Sequence, residues 1–128
     1  MSMTIHSLDH FVLTVANLDQ TCRFYQDVLG MEVRPFQNGR LALHFGQQKI
    51  NLHLSGHEIE PKARQPTPGS ADLCFLVNEP VEQLLEHLTH QGIPLESKVV
   101  QRTGAQGAIR SIYLRDPDGN LIELSNPA

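Results

Sequence analysis

The sequence predicts an α+β fold made of two tandem βαβββ modules, whose curved mixed sheets surround a metal-binding cleft. Three observations predict it. The order strand, helix, three strands occurs twice along 128 residues. A polar stretch rich in Pro and Gly, Ser55 to Ser70, separates the two occurrences. Four side chains suited to a divalent cation, His10, His53, Asp72 and Glu123, fall at matching places in the two halves. The expected organisation is one domain over 1–128, with module one at about 5–55, a crossing loop at about 56–69 and module two at about 70–126.

Each element follows from local chemistry. Leu8 to Val15 alternates and is rich in β-branched and aromatic residues, so it reads as a strand. Asn17 can cap a helix whose apolar stripe is Leu18, Cys22, Tyr25 and Leu29, widened by Thr21, Phe24 and Val28. Gly30 suits the left-handed position that ends it. Strands are expected at Met31 to Phe36, Arg40 to Phe45 and Lys49 to Leu54, turning at Asn38-Gly39 and Gly46-Gln47. The pattern restarts at Asp72 to Val77. Pro80 suits a first helical position, Val81, Leu84, Leu85 and Leu88 form the next stripe, and Gly92 closes it. Further strands are expected at Leu95 to Val100, Ala108 to Arg115 and Asn120 to Ser125, with Asp116-Pro117-Asp118-Gly119 as the turn between the last two.

Composition narrows the function classes. The formal net charge is −4 and the basic residues are scattered, which argues against nucleic acid as a partner. No apolar run approaches the roughly 20 residues that span a bilayer, so no membrane is expected. The start of the chain lacks the pattern of a signal peptide, and Cys22 and Cys74 make no disulfide framework, which points to a cytoplasmic protein with reduced thiols.

The chemistry rests on the duplication. Aligning the first strands on Val15 and Val77 sets His10 over Asp72. Aligning Leu52-His53-Leu54 on Ile122-Glu123-Leu124 sets His53 over Glu123. Alternation puts Phe11, Leu13 and Val15 on one face and His10 on the other. The same holds for Leu73 and Phe75 against Asp72, for Leu52 and Leu54 against His53, and for Ile122 and Leu124 against Glu123. The apolar faces suit packing under the helices, and the four polar groups then project together. A lone carboxylate on a half-buried strand is costly to desolvate, and a cation removes that cost. Two imidazoles and two carboxylates suit one divalent ion, Zn²⁺ or Ni²⁺ first, with Co²⁺, Mn²⁺ or Fe²⁺ also compatible.

The strings LDHFVLTV, FYQDVLGMEV (Phe24 to Val33) and RDPDGNLIEL (Arg115 to Leu124), with FGQQKINLH and RTGAQGAI, resemble the vicinal oxygen chelate superfamily. That superfamily includes glyoxalase I, fosfomycin- and bleomycin-resistance proteins and extradiol dioxygenases. The likeness is greatest to small single-domain proteins of the glyoxalase I, or lactoylglutathione lyase, type. The resemblance implies that His10, His53, Asp72 and Glu123 hold the metal and that Glu123 is the proton-abstracting base. It implies a small-molecule substrate, a thiol cosubstrate such as glutathione, and a homodimer. Thr14 and His57 stand where glyoxalase I commonly carries Arg and Asn for glutathione, and Asp72 where His is usual.

The function expected is that of a metal-dependent lyase or isomerase, acting on the thiol hemithioacetal of a 2-oxoaldehyde such as methylglyoxal. The alternatives are an extradiol-type ring-cleaving dioxygenase and a non-enzymatic drug-binding resistance protein. The segment Arg102 to Gly107 is expected to be a flexible connection that, with the Ser55 to Ser70 loop, borders the cleft. Arg102, Lys62 and Arg64 are candidates to hold a substrate carboxylate, and Cys74 lacks a base partner for a nucleophilic role.

Overall fold

A computed structural model describes all 128 residues. The elements run β1 (His10–Val15), α1 (Leu18–Asp27), β2 (Glu32–Phe36), β3 (Arg40–Phe45), β4 (Gln48–Leu54), β5 (Asp72–Leu76), α2 (Val81–His90), β6 (Val100–Gly104), β7 (Gly107–Arg115) and β8 (Leu121–Pro127). The βαβββ order therefore occurs twice, as expected. Two compact units meet in sequence at Pro68 and Gly69, at the end of the expected crossing loop.

In the first unit the strand order is β1-β4-β3-β2; in the second it is β5-β8-β7-β6. The first and last strands of each unit pair in parallel, β1 with β4 and β5 with β8, and all other pairs are antiparallel. One face of each sheet lies against the unit's helix. Leu13, Val15, Tyr25, Leu43, Ile50 and Leu52 form the first core, and Val81, Leu88, Ile112, Leu114, Ile122 and Leu124 the second. The opposite faces carry the candidate site residues His10, His53, Asp72 and Glu123.

The helix ends are set by specific groups. Asn17 Oδ1 accepts from Gln20 N–H at 2.9 Å and caps α1. Pro80 is the residue before α2 and offers no side-chain cap. Asn126 on β8 supplies one instead: its Oδ1 accepts from Val81 N–H at 2.8 Å, and its amide donates to the Val77 and Glu79 carbonyls. At the far end Gly92 takes φ +77, which lets Gly92 and Ile93 donate back to Thr89 and Leu88.

One strand departs from expectation. Leu95 makes only an isolated bridge to Leu114, and β6 lies later, at Val100–Gly104. Its polar run Gln101-Arg102-Thr103 hid it from an apolar-alternation reading, because an edge strand need bury little. The segment expected to be a flexible connection is thus half strand, turning tightly through Ala105 and Gln106 into β7, with Gly104 paired to Gly107.

The β7–β8 turn anchors the start of β5. Asp116 Oδ1 accepts from the Asp118 and Asn120 N–H groups, each at 2.9 Å, and Asp116 Oδ2 accepts from the Asn120 amide at 2.7 Å. Asn120 Oδ1 then accepts from Ala71 N–H at 2.8 Å. Asp116 and Asn120 are both buried. Asn120→Ala removes an amide donor from the buried Asp116 carboxylate and the acceptor of Ala71 N–H together, so it should cost about 2–4 kcal/mol in urea unfolding. A loss under roughly 0.5 kcal/mol would show the turn to be self-sufficient.

Candidate active-site faces

Alternation and pairing register place the functional groups on the open face of each sheet. In the first unit His10 pairs with Lys49, Val12 with Asn51, and Thr14 with His53. In the second, Asp72 pairs with Leu121, Cys74 with Glu123, and Leu76 with Ser125. With His10 matched to Asp72, the counterpart of Glu123 is Asn51, and His53 answers to Ser125. This corrects the alignment of the halves made on apolar flanks. A strand pattern repeats every two residues, so a shift of two leaves the apolar flanks equally well matched. Ile50-Asn51-Leu52 frames Asn51 as well as Leu52-His53-Leu54 frames His53.

His10 is half-exposed, and its Nδ1 lies 2.8 Å from Asp9 Oδ1. A carboxylate only accepts, so Nδ1 carries the proton and the Nε2 lone pair is left for a ligand. Asn51 is buried, and its Oδ1 has no hydrogen-bond partner. His53 is buried, with Nε2 3.4 Å from Arg40 Nη2. Burial first, and the Arg40 charge second, hold the His53 imidazole below its ordinary value, with Glu58 acting weakly against them.

In the second unit Asp72, Cys74 and Leu76 share the open face of β5 with Glu123 and Ser125 on β8 and Ser111 and Tyr113 on β7. Glu123 Oε2 accepts from Ser111 Oγ at 2.6 Å and, in a longer contact, from Ser125 Oγ at 3.4 Å. The two hydroxyls lie 2.7 Å apart and are fully buried. Both hydroxyl bonds fall on Oε2, and the Cys74 thiol is a further hydrogen-bond partner of the carboxylate. Cys74 Sγ lies 3.3 Å from Ser125 Oγ. Burial raises the Cys74 thiol above its ordinary value; the Ser125 contact works against this, and Glu123 adds to it. The thiol is therefore protonated at neutral pH, which makes it a weak nucleophile.

A cavity of about 540 Å³ opens on this face. Its lining includes Glu123, Cys74, Leu76, Arg102, Ile109 and Pro127. Arg102 Nε donates to Tyr113 OH at 3.0 Å, and Arg102 has no ion pair. Of the other two cations considered for a substrate carboxylate, Lys62 lies 3.7 Å from Glu58 and 3.6 Å from Glu60, and Arg64 is exposed. Neither unit by itself gathers three His, Cys, Asp or Glu side chains. Sequence reasoning missed Ser111, Ser125, Asn51 and Arg40. Ser125 was findable, since it lies two residues beyond Glu123 and so on its face; Ser111 and Arg40 enter only through cross-strand pairing.

The pattern of the Glyoxalase/Bleomycin resistance protein/Dioxygenase superfamily matches residues 7–124, and the chain belongs to that family. Among particular proteins, it is 52% identical over 125 residues to virulence protein STM3117 of Salmonella typhimurium, covering 98% of this chain and 87% of that one. The crystal structure of that protein superposes with a TM-score of 0.96, covering 98% of this chain and 100% of the other. Glyoxalase domain-containing protein RDO1 of Mycosarcoma maydis is 52% identical over 97% of this chain and 70% of its own length. An integron cassette protein from the mobile metagenome of V. cholerae is 52% identical with a TM-score of 0.96, covering 100% of both chains. No helix is long and apolar enough to cross a membrane.

Two outcomes follow from these environments. Glu123→Gln should lower the Cys74 pKa and speed its alkylation by iodoacetamide at mildly alkaline pH several-fold, about 2–5 times, in a Cys22→Ser background; an unchanged rate would show that Glu123 does not act on the thiol. The depressed His53 pKa makes stability fall as pH drops below about 6.5, because the unfolded chain takes up a proton that the folded imidazole refuses. Arg40→Met should raise that pKa, yet leave it below the ordinary value because burial is the larger cause. Imidazole proton shifts in an NMR titration measure both.

Proposed function

We propose that this protein is a divalent-metal-dependent lyase or isomerase of glyoxalase I type. Its substrate would be the hemithioacetal formed from a 2-oxoaldehyde such as methylglyoxal and a thiol, glutathione among the candidates. The observation that carries the reading is the Glu123 carboxylate. It stands at the wall of a cavity, with Oε2 held by the Ser111 hydroxyl and the Cys74 thiol beside it.

The donor set fits a cation. His10 keeps a lone pair at Nε2, Asp72 and Glu123 bring negative charge on one sheet face, and Asn51 has a buried oxygen without a partner. His10, Asp72 and Glu123 are therefore proposed as ligands. For the fourth, register and the orphaned oxygen favour Asn51. His53, the fourth ligand expected from the sequence, has its Nε2 facing a guanidinium, which repels a second cation. Zn²⁺ or Ni²⁺ suits such a mixed set of nitrogen and oxygen donors. When bound, the ion supplies Lewis-acid polarisation of two neighbouring substrate oxygens. We take the working form to be a homodimer.

The chain's own residues supply the proton chemistry. Glu123 removes the proton from the hemithioacetal carbon and returns it to the adjacent former carbonyl carbon, while the hydroxyl proton passes from the first oxygen to the second, so that the hemithioacetal becomes a 2-hydroxy thioester. Ser111 and Ser125 hold the Oε2 side of the carboxylate, so that Glu123, loosened from the ion, can turn its other oxygen to the reacting carbon. Leu76, Ile109 and Pro127 give the cavity an apolar wall, and Arg102 is placed to hold an anionic part of the thiol.

Metal-loaded protein given methylglyoxal and a panel of thiols should form a thioester, followed by its ultraviolet absorbance. Glu123→Gln should lower kcat by about 10²–10⁴-fold. The absence of turnover with every thiol would end this reading. Metal analysis separates the fourth ligands: Asn51→Ala should weaken metal retention by about 10-fold or more, and His53→Ala should leave it nearly intact. The reverse result would restore His53.

A further inference from the structure

Two cations in the first unit share one aromatic ring. Arg40 Cζ lies 4.7 Å from the Phe36 centroid, and Lys49 Nζ lies 4.1 Å from the same point. Each contact is favourable alone. Together they bring two positive charges to one ring, and neither Arg40 nor Lys49 makes an ion pair. The neighbouring cation of this sheet, Arg34, does, at 2.8 Å from Glu32.

Arg40 carries a second anomaly. Its Nε–H is buried and has no acceptor. A buried donor on a charged group is costly to leave unmade. The surroundings do not supply the missing negative charge. His53 accepts from Nη2 through its ring nitrogen, and an imidazole brings no negative charge. The Glu58 carboxylate accepts from Gly56 N–H and lies near Lys62. Asn51, on the same face, offers only an amide.

We propose that Arg40 and Lys49, which both contact the Phe36 ring, form a binding site for a small oxyanion, the carboxylate or phosphate group of a compact metabolite. The guanidinium offers a planar set of donors whose Nε–H lacks a partner, which suits paired oxygens, and the ammonium adds a point charge. His53 holds Nη2, so that it positions the guanidinium without touching the anion. This site does not depend on the cation of the proposed reaction.

The test is an NMR titration of the full chain, once after chelator treatment and once loaded with Zn²⁺. Inorganic phosphate and malonate are added separately, and sodium chloride at matched ionic strength is the control. The Arg40 Nε–H resonance should move and saturate at roughly millimolar phosphate or malonate in both metal states. Arg40→Met should weaken binding about 10-fold or more, Arg40→Lys by less, and Lys49→Met by less again. Saturation by phosphate alone or by malonate alone supports the site and names the oxyanion it takes. The proposal is overturned if sodium chloride produces the same shifts, if nothing saturates, or if Arg40→Met binds as well as the parent chain. Shifts seen only with Zn²⁺ would also overturn it, since the anion would then be seated on the metal. Should Arg40→Met fail to fold, Arg40→Lys and Lys49→Met decide in its place.

Discussion

The parallel pairing of the first and last strands of each unit is the constraint from which the rest follows. β1 against β4 and β5 against β8 set two chemistry-bearing strands side by side at the edge of each sheet. Their register decides which side chains share a level. Because side chains alternate, one choice sends Leu13, Ile50 and Leu52 under α1 and at the same time turns His10, Asn51 and His53 outward. Core formation and site formation are therefore one event. A slip of one residue would bury the polar set and expose the apolar one, which the hydrophobic gain of the core forbids.

The two open faces then diverge chemically, although their backbones repeat. The face of the first unit is rich in cations and imidazoles, with Arg34, Arg40, Lys49, His10, His44 and His53 in successive cross-strand rows. That of the second carries Asp72 and Glu123 with buried hydroxyls beneath them. A duplicated scaffold thus holds unlike groups at like positions. The Ser111–Ser125 pair explains how a carboxylate is kept on a half-buried strand: charge-assisted bonds from two buried hydroxyls replace part of its lost hydration. Asn51 sits at the corresponding place of the first unit without such support, and being neutral it needs less.

Polar groups also do structural work away from the open faces. Asn126 caps α2 from a strand that is distant in sequence, because Pro80 has no side chain able to do so. Asp116 and Asn120 tie a turn to the start of β5. Both are long-range solutions to local deficits: a helix start or strand end that its own residues leave unsatisfied draws a partner from elsewhere in its unit.

Periodicity alone determined the repeated βαβββ order, both helices with their Gly30 and Gly92 ends, and the apolar faces of β1, β4, β5 and β8, because these depend on residues close together in the chain. It also singled out His10, Asp72 and Glu123 as outward-facing polar groups on those strands. It could not determine β6, whose polar edge buries little, nor the partner of Glu123 in the other half, since flanks that repeat every two residues are blind to a shift of two. Only hydrogen-bonded pairing between distant strands decided that Asn51 matches Glu123, that Ser111 grips its carboxylate, and that Arg40 and Lys49 converge on Phe36. Those relations run across strands, and no spacing along the chain encodes them.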